Sequence, residues 1–488
     1  MVAGVHQIQI LLVLSIIIGL NGNSVEPSCS KMDADVLILG AGMAGISAAK
    51  TLSDAGVKNL IILEGRSEIG GRIRSEVLEA TGVRVELGAN WIEDLDPNNL
   101  NSHPLWQLAK QCGGLAGNFQ DGVIFGPIHA FDDHKRNLTA NSTFLSRLNH
   151  WENVGHDIKS YLTNATKNHD HLLDVSARQA LQQFGWVPET AIDKAIEWLG
   201  FDWECACPPE NGSFLFSFPM SRDYMYFVTD QKQGYVKLVH CLADSFLSPL
   251  DNRLHLGSTV QEVKWYSGDQ CVCVTTIESG VNKEYCAASA VLTFAIGVLK
   301  SDHVVFNPPL PSPKLEAISK IGDGYYLKLF VEFSEVFWDK DKVPTILHVS
   351  SNKGYYAHFQ SLAQNLPGNP PILIATLIGE YAIKAYTLSN SQIKSQVTEV
   401  LRNIFGPSVP EPIAITVPDW GVNSLYNGMY SYRSYGFTQS DLDALRINAG
   451  SLYFAGEALV NDGEYGFVHS ALKSGIETAE EILKRGHV

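Results

Sequence analysis

An α/β fold is predicted for this 488-residue chain by three stretches. Val36 to Leu39 is a short apolar run that meets Gly40-Ala41-Gly42-Met43-Ala44-Gly45 and then a helical pattern through Leu52. A second apolar run, Leu60 to Leu63, ends on Glu64. Near the C-terminus Leu452 to Ala455 is a third run, followed by Gly456-Glu457, a loop and a helix from about Val468. The first two make a strand–helix–strand unit, the start of a parallel sheet. The third brings one more strand and helix back from the far end of the chain.

Each part of the first unit has a physical task. Gly40 permits the tight turn, Gly42 lets backbone approach a pyrophosphate, and Gly45 lets the helix pack on the sheet. The helix N-terminus stabilises phosphate charge, and Glu64 stands where a carboxylate accepts from ribose hydroxyls. A lone GxGxxG is a weak signal; with both strands, the helix and the acid it predicts a bound dinucleotide. Ser67 to Arg72, SEIGGR, adds Gly71 and Arg72 for further phosphate contact. The C-terminal return through Gly456, Glu457 and Val468 favours FAD over a nicotinamide. The long ribityl-isoalloxazine arm needs a second helix N-terminus. The prediction is an FAD-binding Rossmann-like domain with a further α+β domain.

The rest of the chain bounds the function. The length suits two domains, or one nucleotide-binding domain with a large insertion. A formal net charge of -16 argues against nucleic acid and anionic membranes and for a cationic ligand. Ile8 to Leu20 is too short to span a bilayer and suits a signal peptide over 1–24, cut near Gly22 to Ser24. No membrane contact is then expected after cleavage; an uncleaved anchor is the alternative. Sequons at Asn137, Asn141, Asn164 and Asn211 fit secretion, three of them in one polar stretch expected to be a glycosylated surface loop. An extracellular destination is expected, with the vacuole also open. Eight cysteines permit disulfides of unreadable pairing. Cys205-Ala-Cys207 and Cys271-Val-Cys273 lack zinc-site spacing, so no metal is expected, and Cys271 and Cys273 are expected on one face of a strand. Arg253 to Tyr266 alternates as a single strand.

The segments GAGMAGISAA, GGR, GANW, FAIGVLK and YFAGE, in that order, resemble the flavin-dependent amine oxidases, and within them the secreted plant-type polyamine oxidases. The resemblance covers about Asp35 to Leu483. It implies an FAD domain from 33–112, 229–316 and 432–488, and a substrate domain, a mixed sheet flanked by helices, from 113–228 and 317–431. It implies that Gly88, Ala89, Asn90 and Trp91 line the flavin, that Val260 contacts adenine through its backbone, and that Trp420 packs by the flavin. Lys328, in a strand whose alternation puts it opposite Leu327 and Leu329, matches a lysine beneath the flavin that holds a water at N5. Most strand lysines instead point to solvent. Tyr326 matches a nearby tyrosine and Tyr430 an aromatic tunnel wall. Glu93 and Glu204 match two carboxylates on opposing tunnel walls that hold an extended polycation; Asp94 and Asp96 receive no role. Two departures are visible. Cys205 stands where the family often has phenylalanine, which widens the tunnel. Phe467 stands where it often has tyrosine, which removes a polar contact. No cysteine follows Cys286, so the FAD is expected to be non-covalent.

The resemblance therefore implies oxidation of a secondary amine of spermine or spermidine by a monomeric enzyme with O2 as the second substrate. Hydride passes from the α-carbon to flavin N5, the imine is hydrolysed to an aminoaldehyde and a smaller amine, and O2 becomes H2O2. The competing readings are a flavin oxidase of another amine, a monoamine or an L-amino acid, and a non-catalytic escort protein on the same fold. An amino acid requires a carboxylate-binding arginine; Arg222 and Arg433 match no motif. A histone demethylase is disfavoured by the signal segment and by the lack of a helical insertion.

Overall fold

In the computed structural model the described residues are 29, 31–121, 128–168, 172–217, 225–229, 234–265, 271–339, 343–364, 366, 368–460 and 464–486. The expected signal segment 1–24, its cleavage region and Arg222 lie outside them. Among the described residues no helix is long and apolar enough to cross a membrane.

The largest sheet of the described residues has eight strands. Its centre is Ala34–Leu39, parallel to Leu60–Glu64 on one side and to the end of Val281–Leu292 on the other. A strand covered on both faces reads as a continuous apolar run, as VLIL does. Val36, Ile38 and Ile62 pack under helices, while Leu37, Leu39 and Leu63 pack toward Val260, Val263 and Val274. Leu452–Phe454 pairs in parallel with Ala290–Leu292, so the two ends of the chain share one sheet. Helices Met43–Asp54 and Val468–Arg485 cross at glycine. A Cβ at Gly475 would stand 2.1 Å from Ser47 Oγ and 2.2 Å from Ala44 O, and one at Gly45 only 1.9 Å from Gly40 O.

The stretch expected as one strand over Arg253–Tyr266 is two. Leu254–Leu256 runs parallel to Ile62–Glu64, and Ser258–Trp265 runs antiparallel to Val272–Glu278. Gly257 between them has φ +70°, a left-handed conformation that breaks the extended chain. Alternation continues across the glycine, which conceals the break.

The second sheet is mixed. Its order is Ala414–Thr416, Tyr326–Glu332, Ile372–Ile378, His358–Ser361, Thr345–Val349, Ile128–Asp132, with only the last pair parallel. Tyr326–Glu332 is buried along its whole length. Leu327, Leu329 and Val331 face a core shared with helix Asn390–Phe405, and Tyr326 and Phe330 face a second core with Trp198, Trp203 and Trp420. A smaller sheet joins Trp91–Leu95, Met225–Thr229 and Gly117–Asp121, and Ile321–Gly324 pairs with Tyr430–Arg433.

The sequon-bearing stretch is only in part a loop: Asn137 and Asn141 lie in the connection before a 27-residue helix, Ser142–Asn168, and Asn164 lies in that helix. Asn141 opens it, its Oδ1 accepting from the Thr143 and Phe144 amides. Phe144, Leu148, Trp151, Val154, Ile158 and Leu162 all join one core, at helical spacing. The polar residues between them obscure that period. Asn137, Asn141, Asn164 and Asn211 are all exposed.

Three disulfides join Cys29 to Cys271, Cys112 to Cys241 and Cys273 to Cys286. Cys271 and Cys273 thus do not simply line a strand face: the first precedes Val272–Glu278, and the second lies in it opposite its partner. Cys205 and Cys207 are free thiols.

Candidate active site

One cavity of about 1410 Å³ connects the Gly40 turn to Glu204. It exceeds the roughly 300–1,000 Å³ that a single small ligand fills, which leaves room for a large cofactor together with a substrate. At one end Gly40 has φ +111° and donates to Leu63 O at 2.8 Å, turning the chain from strand to helix. Gly42, Met43 and Ala44 line the cavity there, and no side chain caps the helix they open. Phe467, Val468 and Ala471 line it too, and their helix also lacks a side-chain cap. Two long helices therefore aim uncompensated N–H groups at one space, which favours negative charge there.

Acids and glycines complete this end. Glu64 is 7% exposed; its Oε2 accepts from the Ala41 amide at 2.7 Å and its Oε1 from the Arg66 amide at 2.9 Å. Burial raises its pKa, and each oxygen keeps a lone pair for a hydroxyl. Gly71 packs against Gly42, and Arg72 Nη1 reaches Glu457 Oε1 at 2.9 Å and Met429 O at 2.8 Å. Burial pushes the Glu457 carboxyl up, but Arg72 and the Ser431 hydroxyl outweigh it and hold the group below its usual range. Gly456 and Val260 also line the cavity. A Cβ at Gly88 would lie 1.8 Å from Arg72 O, so only glycine lets the Gly88-Ala89-Asn90-Trp91 wall approach the Arg72 loop.

Lys328 enters from the centre of its strand, 8% exposed. Its Nζ donates to Gly88 O at 2.7 Å and to Asn90 Oδ1 at 2.8 Å, and it stands 5.3 Å from the Trp91 ring. Burial draws its pKa down to about 8, against the opposing pull of Glu86 and Glu93. A third ammonium hydrogen is left for a ligand or a water. Aromatic rings lead outward from it. Trp91 lies 6.0 Å from Trp203, Trp203 6.1 Å from Tyr326, and Tyr326 5.9 Å from Tyr430. Glu93, half-buried, and Glu204, exposed, line the same cavity. Burial raises the Tyr326 and Tyr430 hydroxyls, and both acids raise them further, so each tyrosine lies in the field of both carboxylates. Tyr430 also donates to Glu204 O at 3.1 Å.

A flavin-containing amine oxidoreductase family model matches residues 43–483. The chain belongs to the flavin-containing amine oxidoreductases. Its relatives include polyamine oxidase 1 of Zea mays, 32% identical over 92% of this chain and 90% of the relative. Another is polyamine oxidase 6 of Oryza sativa subsp. japonica, 29% identical over 92% and 90%. A solved wild-type putrescine oxidase bound to putrescine shares the fold, with a TM-score of 0.70 and 20% identity over 93% of this chain and 99% of that one. FAD is therefore the cofactor, and the cavity fits it: two uncapped helix N-termini, the Gly40 turn and Glu64 at one end, Lys328 and the Gly88–Trp91 wall at the other.

In this amine oxidase two residues expected to bind the cofactor do not line the cavity. Gly45 acts one layer back, by letting its helix close on the Gly40 turn. Trp420 is 1% exposed and packs behind Gly88, where a Cβ would lie 3.4 Å from its ring, while its Nε1 donates to Leu87 O at 3.2 Å. It positions the backbone that carries the Lys328 acceptor. Cys205 lines the cavity and donates to Ser217 O at 2.9 Å, and Phe467 stacks on His469 at 5.1 Å.

The amine oxidase also uses residues that no motif singled out. Trp203 completes the aromatic wall. Glu86, 2% exposed, accepts from the Tyr235 amide at 2.8 Å and adds negative potential at Lys328. Its only sequence signal is an acid set between the apolar residues Val85 and Leu87. Arg433 is buried beside Phe437 and Tyr465, at 4.7 and 4.5 Å from their rings, and its Nη2 donates to Ala458 O at 2.8 Å.

Proposed function

We propose that this amine oxidase is a polyamine oxidase that acts on a secondary amine of spermine or spermidine. The observation that carries the reading is the opening of Glu93 and Glu204 onto the same cavity as the buried Lys328. Two carboxylates suit a ligand with several cationic nitrogens; a monoamine has use for neither as a distal anchor. The similarity to plant polyamine oxidases along nearly the whole chain supports it. Arg433 also lines the cavity, between the Phe437 and Tyr465 rings, so L-leucine is the control substrate for the amino-acid alternative.

When bound, FAD would supply the two-electron chemistry: oxidation of the amine to an imine, which water hydrolyses to an aminoaldehyde and a smaller amine, with O2 reduced to H2O2. The protein's part is positional and electrostatic. Glu93 and Glu204 hold the flanking ammonium groups, which sets the nitrogen that reacts. Trp91, Trp203, Tyr326 and Tyr430 enclose the methylene chain and exclude water. Lys328, near neutrality in its proton affinity, holds or releases a proton at Nζ.

The test is substitution of each acid by its amide. Glu93→Gln and Glu204→Gln each remove one charge-assisted contact, worth about 1.5–3 kcal/mol. The expected loss in kcat/KM for spermine is therefore roughly 10- to 100-fold, with a much smaller loss for benzylamine. Equal losses for both substrates would sink the reading.

Secretion belongs to the same proposal. It is supported by three disulfides, which persist in oxidising compartments, and by four exposed sequons. Protein recovered from the medium of a eukaryotic host should lose mass on N-glycosidase treatment; unglycosylated protein retained in the cytosol contradicts it.

A further inference from the structure

Beside the cavity wall lies a cluster that the proposed reaction does not use. One donor atom from each of Asp94, Glu464 and His469 lies within 4.8 Å of the other two. Asp94 follows Glu93 in its strand and holds φ +57°. Glu464 precedes the turn into the last helix, and His469 is the second residue of that helix. His469 Nε2 stands 3.3 Å from Glu464 Oε2, yet among the described residues that nitrogen has no hydrogen-bond partner. Two ligands of one tetrahedral zinc, each about 2.1 Å from the ion, are separated by about 3.4 Å.

His103 is an independent observation. It is 8% exposed, and neither of its ring nitrogens has a hydrogen-bond partner among the described residues. Its ring meets the His469 ring edge to face at 4.9 Å, within the electrostatic reach of Glu464. Leaving a buried polar group unpaired costs about 1–3 kcal/mol, so a bare imidazole here asks for a partner. Imidazole mixed with carboxylate suits zinc and its neighbours, whereas calcium and magnesium take oxygen alone.

We propose that His103, Asp94, Glu464 and His469 bind a divalent transition-metal ion of the zinc class. Asp94, Glu464 and His469 already stand at ligand spacing; His103 lies outside that spacing and completes a tetrahedral shell by a shift of its ring on metal binding, which makes the site structural. The ion ties the strand that carries Glu93 to the start of the last helix and to the start of helix Pro104–Gln111. It thereby fixes the first tunnel carboxylate relative to the helix N-terminus at Val468.

The test uses holoenzyme stripped with EDTA, returned to chelator-free buffer and titrated with ZnCl2. Metal retained through gel filtration is counted by mass spectrometry, and the melting temperature is followed alongside. The expected result is about one zinc per chain and a raised melting temperature. Asp94→Asn/His103→Gln should weaken retention at least roughly 10-fold while keeping the flavin spectrum. If that variant misfolds, Glu464→Gln, at the turn alone, carries the same comparison. No zinc retained by the wild type at equimolar addition, or retention by the variants equal to wild type, overturns the proposal. Neither outcome depends on which amine the enzyme oxidises.

Discussion

Lys328 reaches the cavity from a strand buried on both faces, and two of its three ammonium hydrogens are held by Gly88 O and Asn90 Oδ1. Burial lowers its pKa from 10.5 to about 8, so the fold disfavours the charged form. The penalty is present in full below about pH 8 and is relieved as pH climbs toward 10.5, where the unfolded chain also loses the proton. Stability therefore rises with pH across that window, by about 3 kcal/mol at most. In Lys328→Met that rise should vanish from denaturant midpoints compared between pH 7 and 10. The same variant should slow reoxidation of the reduced flavin by roughly 100-fold in stopped-flow absorbance, the scale of a lost proton-transfer group. An unchanged rate would leave Lys328 a packing residue. Several site residues were legible because backbone chemistry restricts them: Gly40 needs its positive φ, and Gly88 has no space for a Cβ. Others were not, because their roles come from tertiary contact. Trp420 supports Leu87 from behind, and Arg433 is enclosed by rings that adjoin it only in the fold.

Elements set how the two ends of the cavity meet. Helices Met43–Asp54 and Val468–Arg485 bring two N-termini to one cofactor only because Gly475 lies flat against Ala44 and Ser47. Gly475→Ala places a methyl within 2.2 Å of Ala44 O, so the helices must separate. A cost of about 1–3 kcal/mol and a lower flavin-to-protein absorbance ratio are expected. By contrast Ser389→Ala removes the cap of helix Asn390–Phe405, whose hydroxyl accepts from Gln392 N at 3.3 Å. It should cost about 1 kcal/mol and leave kcat unchanged, since that helix packs on the far side of the second sheet from Tyr326. The opening strand–helix–strand unit and the final strand–helix were legible from glycine placement and apolar runs. Helix Ser142–Asn168 was not, because the polar residues between its packing positions obscure their period. Nor was the break at Gly257, which leaves the alternation intact on both sides.

At the scale of the molecule, charge and aromatic enclosure act together. A net charge of -16 raises the local concentration of a polycation, and salt screens the effect. The kcat/KM for spermine should fall several-fold between about 20 and 200 mM NaCl, where the Debye length shortens from roughly 20 to 7 Å, and hardly change for benzylamine. That both ends of the chain join one sheet was legible because each carries the same kind of strand–helix pair; the disulfide pairing was not, since it depends on which strands become neighbours. Anaerobic bleaching of the flavin by spermine, spermidine, benzylamine and L-leucine, each mixed with purified holoenzyme, reads out directly which amines the two-carboxylate tunnel accepts. Bleaching by the two polyamines alone is the predicted result. Bleaching by benzylamine or leucine, with the polyamines inert, would contradict the two-carboxylate tunnel and return Glu93 to the status of a solvated acid.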